Sequence, residues 1–198
     1  MTRFYCFSTV NTPYEAVALK CAASFGKHGV IVSLRSMPVV GGWMRNCMAR
    51  AEALRSHWMG ECPDDAVCLL DADLECLGDP VALLDFPGDV AVHDSGPDVP
   101  NESRYSAGVL AFAPTPEGKC ILSRWVDLCA GDKHFGKALR EQLYLREAIQ
   151  EREAQGARVF RLPRTYNMHI DHHKDGDGTV ILHHVVSRTL RKVMGGSL

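Results

Sequence analysis

No two of the eight cysteines, at positions 6, 21, 47, 62, 68, 76, 120 and 129, stand in a Cys-x-x-Cys pair, and that spacing argues against a structural zinc site. Cys6, Cys21, Cys68 and Cys129 fall inside apolar patterns, where a free thiol behaves as a small hydrophobe. No apolar run approaches the roughly 20 residues that a membrane-spanning helix needs. The opening Met1-Thr-Arg-Phe-Tyr-Cys-Phe-Ser8 lacks the apolar core and small-residue cleavage site of a secretory signal. Reduced thiols and a cytoplasmic location are therefore expected. An excess of either charge is missing too: 22 Lys and Arg face 24 Asp and Glu, a net −2 at pH 7. No global basic field marks a nucleic-acid partner, although a local basic groove is compatible with that balance. Nor is there an internal repeat, or a linker long enough to divide the chain.

What is present suits a globular protein. The 198 residues, 46% apolar and 23% charged, are enough for one substantial core, so residues 1–198 are expected to form a single domain. Arg3 to Ser8 alternates and is rich in aromatics, the pattern of a strand. Thr9-Val-Asn-Thr-Pro13 follows as a loop, with Thr12 placed to cap a helix and Pro13 to start it. Val17, Ala18, Cys21, Ala22 and Phe25 recur at helical spacing, Gly26 and Gly29 end the helix, and Val30 to Leu34 forms the next strand. This is a βαβ unit. Trp43 to Trp58 reads as a helix carrying Arg45, Arg50 and Arg55, and Val67 to Leu70 as a buried strand. Asp89 to Val92, Val109 to Ala113, Arg158 to Leu162 and Val180 to Leu182 supply further strands. Helices centre on Ile121 to Leu128 and Leu139 to Ile149. The expectation is an α/β fold with a mixed, mainly parallel central sheet flanked by helices.

The segment Val67-Cys-Leu-Leu-Asp-Ala-Asp carries the chemistry. Asp71 and Asp73 follow a buried strand, at the end where open α/β sheets bind ligands. In extended chain, residues i and i+2 point the same way, so the two carboxylates converge, and like charges in one place call for a cation. Hard oxygen ligands suit Mg2+ or Mn2+, with phosphate oxygens and water completing the shell. The alternative is an Asp pair in an ordinary turn. Arg50, Arg104 and Arg188 are able to give bidentate contacts to phosphate. In the loop after the first strand, Thr9 or Thr12 is placed to bond a base and Tyr14 to stack on it; packing at the helix end is the other reading of Tyr14.

Leu69-Leu-Asp-Ala-Asp-Leu-Glu-Cys-Leu-Gly-Asp-Pro80 resembles the Asp-x-Asp region of GT-A fold glycosyltransferases, and the nearest likeness is to the glycogenin-like group and small phage and bacterial relatives. Trp43-Met-Arg-Asn46 with Arg50-Ala-Glu-Ala-Leu54 resembles the preceding helix, whose basic residue reaches the diphosphate; Arg50 holds that position. Tyr105-Ser-Ala-Gly-Val109 resembles the segment supporting the donor sugar, which implies roles for Ser106 and Gly108. Glu141-Gln142 resembles the Asp-Gln pair of the following helix, which implies that Glu141 acts near the sugar and that Gln142 binds it. Ala72, inside the aspartate motif, joins the donor contacts. Leu162-Pro163 with Tyr166-Asn167 resembles the turn after the last core strand. His183, four residues before Ser187-Arg188, resembles the late histidine that completes the metal site. His184 remains the other candidate, because neighbours on a strand face opposite ways. His169, Asp171, His172 and His173 form a second cluster, read as a solvated segment or as acceptor-site lining.

The resemblance implies a metal-dependent glycosyltransferase with a nucleotide-diphosphate sugar donor, a UDP-sugar first, and retention of anomeric configuration. The acceptor is open: a glycan, a small molecule, or a modified DNA base, for which Arg188, Arg191 and Lys192 offer a local basic patch. Two other classes compete. A nucleotidyltransferase also needs paired aspartates and Mg2+, but Thr9 to Pro13 is not its Gly-rich phosphate loop. A non-catalytic nucleotide-sugar binding protein would hold the donor without turnover.

Overall fold

The structure, a computed structural model, describes residues 1–96, 104–132 and 140–186, without the side chain of Arg140. Its centre is a six-stranded sheet in the order β2 (Val32–Met37), β1 (Thr2–Thr9), β3 (Ala66–Leu70), β6 (Tyr105–Phe112), β5 (Val90–Asp94) and β7 (Val159–Leu162). β1 runs parallel to β2 and β3, and β5 parallel to β7, while β6 is antiparallel to both of its neighbours. A second sheet of three short strands orders β4 (Leu74–Cys76), β9 (Ile181–His183) and β8 (Met168–His169).

Strand alternation divides the core into two layers. Tyr5, Phe7, Val67, Leu69, Leu110 and Phe112 face one way and Phe4, Cys6, Cys68, Leu70, Val109 and Ala111 the other. Buried on both faces, these strands read as continuous apolar runs in the sequence. The first layer packs under α2 (Trp43–Glu61), α4 (Pro116–Ala130) and α5 (Arg140–Glu153) through Leu54, Trp58, Ile121, Trp125, Leu145 and Ile149. The second packs under α1 (Tyr14–Gly26), the short α3 (Val81–Leu84) and the small sheet, through Ala18, Cys21, Phe25, Leu83, Leu74 and Ile181. No helix among the described residues is long and apolar enough to cross a membrane. All eight cysteines are free.

Several boundaries differ from the sequence reading, each for a local reason. Thr12 does not cap α1, because its hydroxyl donates to the Thr9 carbonyl at 2.8 Å; Pro13 flanks the helix instead and Tyr14 starts it. β2 begins at Val32, because the Val30 amide is spent on the Phe25 carbonyl where Gly29, at φ 75°, turns the chain out of α1. β6 reaches back to Tyr105, and its pairing with β5 shifts register between Val92 and His93. β4 and β8, of 3 and 2 residues, are too short for periodicity to reveal. The expected start of α5 at Leu139 lies outside the described residues.

A carboxylate ties the far end of the sheet together. Asp89 accepts from the Thr115 hydroxyl at 2.8 Å and from the Arg158 amide at 2.7 Å, and Thr115 in turn caps α4 by accepting from the Gly118 amide at 3.0 Å. Burial works against the Asp89 charge, but the Arg158 amide and the Thr115 hydroxyl outweigh it and hold the carboxyl below the usual carboxylate range. A depressed carboxylate contributes stability above its unfolded pKa of roughly 4 and loses it as pH falls through the folded value. Urea unfolding of Asp89→Ala should therefore show a loss of about 1–3 kcal/mol at neutral pH. The gap to wild type should narrow below roughly pH 4, and a gap independent of pH would disprove the linkage.

Candidate active site

The C-terminal ends of β1, β3 and β5, the start of β6 and the end of α2 that carries Trp43 enclose a cleft of about 610 Å³. Its position is the one where open α/β sheets bind ligands, and its size suits a substrate-sized molecule. On the floor lie the two aspartates. The Asp71 amide donates to the Gly108 carbonyl at 2.8 Å, which pins the chain as it leaves β3. Asp73 is only 6% exposed, and its carbonyl accepts from the His184 amide at 2.9 Å, joining the motif to β9. His183, the last residue of β9, places Nε2 3.2 Å from Asp73 Oδ1 and 3.7 Å from Asp71 Oδ2. His184 faces away and pairs with Glu75 at 2.8 Å. Of the two histidines, His183 is the one that meets the aspartates.

One ligand atom from each of Asp71, Asp73 and His183 lies within 4.8 Å of the others. Two carboxylate oxygens and an imidazole nitrogen are a donor set for Mn2+ or Mg2+, the imidazole favouring the softer ion. Gly108 keeps the place open, since a Cβ there would stand 3.1 Å from Asp71 Oδ2 and 3.2 Å from His183 Cε1. These residues fit a divalent ion.

Arg50 is held between two carboxylates. Its guanidinium pairs with Asp71 and also holds Glu141, through Nε at 2.9 Å and Nη2 at 2.8 Å from Oε1. Glu141 is itself buried, with its backbone carbonyl accepting from Trp125 Nε1 at 3.0 Å. Burial pushes the Glu141 carboxyl up, and Arg50 offsets only part of that rise. Burial likewise works against the Arg50 charge, but Glu141, Cys47 and Asp73 outweigh it and keep the guanidinium above its usual value.

Thr9, Tyr14, Ala72, Ser106 and Gln142 all line the cleft, and the Ser106 hydroxyl accepts from the Gly108 amide at 3.1 Å. Arg104 does not line it. Asp94 holds that guanidinium at 3.1 and 3.2 Å, and it lies over the Tyr105 ring. Arg188 lies outside the described residues. The second histidine cluster is split: His169 and His172 line the cleft, whereas His173 bonds Thr179 at 3.1 Å and sits near Asp177.

Other lining residues escaped the sequence reading. Trp43, Asn46 and Cys47 line the cleft on the same stripe of α2 as Arg50, and their i, i+3, i+4, i+7 spacing was a usable signal. His93, buried at the end of β5 with its pKa lowered by that burial, gave none. Val185 also lines the cleft, in a left-handed conformation at φ 53°, which is a strained one for a β-branched residue.

No protein-family model matches the sequence, and no curated protein matches it. Solved structures do. A glycosyltransferase involved in the glycosylation of the major capsid of PBCV-1 shares a TM-score of 0.71 at 14% identity, over 97% of this chain and 98% of that one. The apo form of GlyE, a glycosyltransferase of Streptococcus pneumoniae TIGR4, gives 0.59 at 16% identity, over 93% of this chain and 55% of that one. The chain has the GT-A-like fold of these glycosyltransferases and spans about half the length of GlyE.

The open cradle at Gly108 is testable. A methyl group there presses on Asp71, His183 and the Ser106 hydroxyl, at 3.3 Å, while β6 stays intact. Gly108→Ala should keep its thermal unfolding close to wild type and lose about tenfold or more in Mn2+ affinity by calorimetry, the size of effect expected when metal ligands are displaced. Unchanged Mn2+ affinity would refute the placement of the ion.

Proposed function

We propose that residues 1–198 form a single glycosyltransferase domain that moves a sugar from a nucleotide-diphosphate donor, a UDP-sugar first, to an acceptor hydroxyl. The observation that carries this reading is the convergence of Asp71, Asp73 and His183 on the floor of the cleft, in a GT-A-like fold. Asp71, Asp73 and His183 hold the divalent ion, Mn2+ or Mg2+. When bound, such an ion stabilises the charge of a departing diphosphate as a Lewis acid.

The chain's own residues do the rest. Thr9 and Tyr14, beside Phe7, Met37 and Trp43, offer an apolar wall with hydroxyls for the base. Ser106 and Gln142 supply hydrogen bonds to the sugar. Arg50 holds Glu141 in place beside the aspartates, so that the carboxylate is oriented before the donor arrives. Retention of anomeric configuration accords with the resemblance to the glycogenin-like group. A glycan, small molecule or modified DNA base is the acceptor. Eight free thiols accord with a reducing, cytoplasmic setting.

Calorimetric titration with UDP, with and without Mn2+, tests the reading at its base. Mn2+ should tighten UDP binding by tenfold or more, a gain of about 1.4 kcal/mol, and Asp73→Asn should abolish that gain. Equal affinity in the two conditions would contradict the proposal. Two panels with Mn2+ then separate the rivals, one of nucleotide sugars and one of nucleoside triphosphates with a sugar 1-phosphate: slow hydrolysis of a nucleotide sugar marks a transferase, pyrophosphate release from a triphosphate and sugar phosphate marks a nucleotidyltransferase, and binding without turnover marks a binding protein.

A further inference from the structure

We infer that Asn167 is a positioning residue that sets which nitrogen of His183 carries the proton, and so whether the site accepts a metal ion. The inference rests on the metal site proposed above. Asn167 closes the 3-10 turn at Arg164–Tyr166, its amide donating to the Arg164 carbonyl at 3.1 Å. β8 follows at once and lies beside β9, with His169 opposite His183. The turn therefore delivers the Asn167 side chain to the back of the His183 ring. Asn167 is 3% exposed, and its Oδ1 lies 3.2 Å from His183 Nδ1, while Nε2 of the same ring faces Asp73 and Asp71.

A neutral imidazole has one N–H and one lone pair. With the Asn167 carbonyl against Nδ1, the proton sits on Nδ1 and the lone pair of Nε2 points at the two carboxylates. That arrangement is repulsive until a cation stands between them, and then it supplies a third ligand. If the amide of Asn167 turned over, its NH2 would donate to Nδ1 and the proton would move to Nε2. His183 would then donate into Asp73 and close the site. The side-chain carbonyl of Asn167 selects the receptive form, the role that a buried acceptor behind a metal-binding histidine plays in general. His169 packs edge-on against the same ring, with centroids 5.2 Å apart, and limits its rotation.

Mn2+ affinity, read by electron paramagnetic resonance, tests this in Asn167→Leu and Asn167→Asp, each in the wild-type and His183→Ala backgrounds. Asn167→Leu keeps the size but lacks the acceptor, and should weaken Mn2+ binding about 10–100-fold. Asn167→Asp keeps an acceptor and should bind close to wild type. In the His183→Ala background Asn167→Leu should cost nothing further, because its effect passes through the imidazole. Wild-type affinity in Asn167→Leu would overturn the inference. So would an equal loss in both backgrounds, which marks a merely structural role, or loss of binding in folded Asn167→Asp. Failure of the wild type itself to bind Mn2+, or full affinity in His183→Ala, would instead remove the proposed metal site and the inference with it.

Discussion

Asp71 and Asp73 stand together at the end of a buried strand, and the cost of two negative charges in that place organises what surrounds them. Each neighbour answers it. Arg50 reaches Asp71 from α2, and His183, from β9, sets Nε2 beside both carboxylates as a third ligand atom for a cation. Gly108, having no Cβ, leaves room for Asp71 and His183 to close on the same point. Arg50 also neutralises Glu141, a carboxylate with little access to water. The charge of Arg50 thus ties α2 both to the end of β3 and to α5. Arg50 lies 91 residues from Glu141 along the chain.

The sheet makes this meeting possible. Period-two alternation sends β1 and β3 side chains into two separate layers, so both strands are held from both sides and their ends are fixed. The loops after β1 and β3 open onto the same cleft. β6 runs the opposite way, so its beginning, with Ser106 and Gly108, lies beside the end of β3. The small sheet is what brings His183 in, through the pairing of Leu74 with His183.

Much of this was legible in the sequence, and the residues show why. Asp71 and Asp73 were readable because a short apolar run and an i, i+2 spacing are local signals. Arg50 was named from its place in α2, whereas Trp43, Asn46 and Cys47 on the same stripe were passed over although their spacing is an equally local signal. Arg104 pairs with Asp94 and does not line the cleft, and along the chain a phosphate-binding arginine and one serving a carboxylate look alike until the partner is placed. Thr12 follows the same logic, since its hydroxyl found Thr9 before the helix amides. His93 and the contact of Asn167 with His183 depend on strand ends and a 3-10 turn that only the folded chain brings together. Partner identity is the information that spacing along one chain does not hold.

The divalent ion proposed to be shared by Asp71, Asp73, His183 and a donor diphosphate can be sought directly. Crystals of the full chain soaked with UDP and Mn2+, with X-ray data collected at the manganese absorption edge, locate the ion directly. One anomalous peak is expected among Asp71, Asp73 and His183, with diphosphate oxygens also bound to it. A peak at His169 and His172 instead, or UDP seated in the cleft with no manganese beside the aspartates, would contradict the proposal.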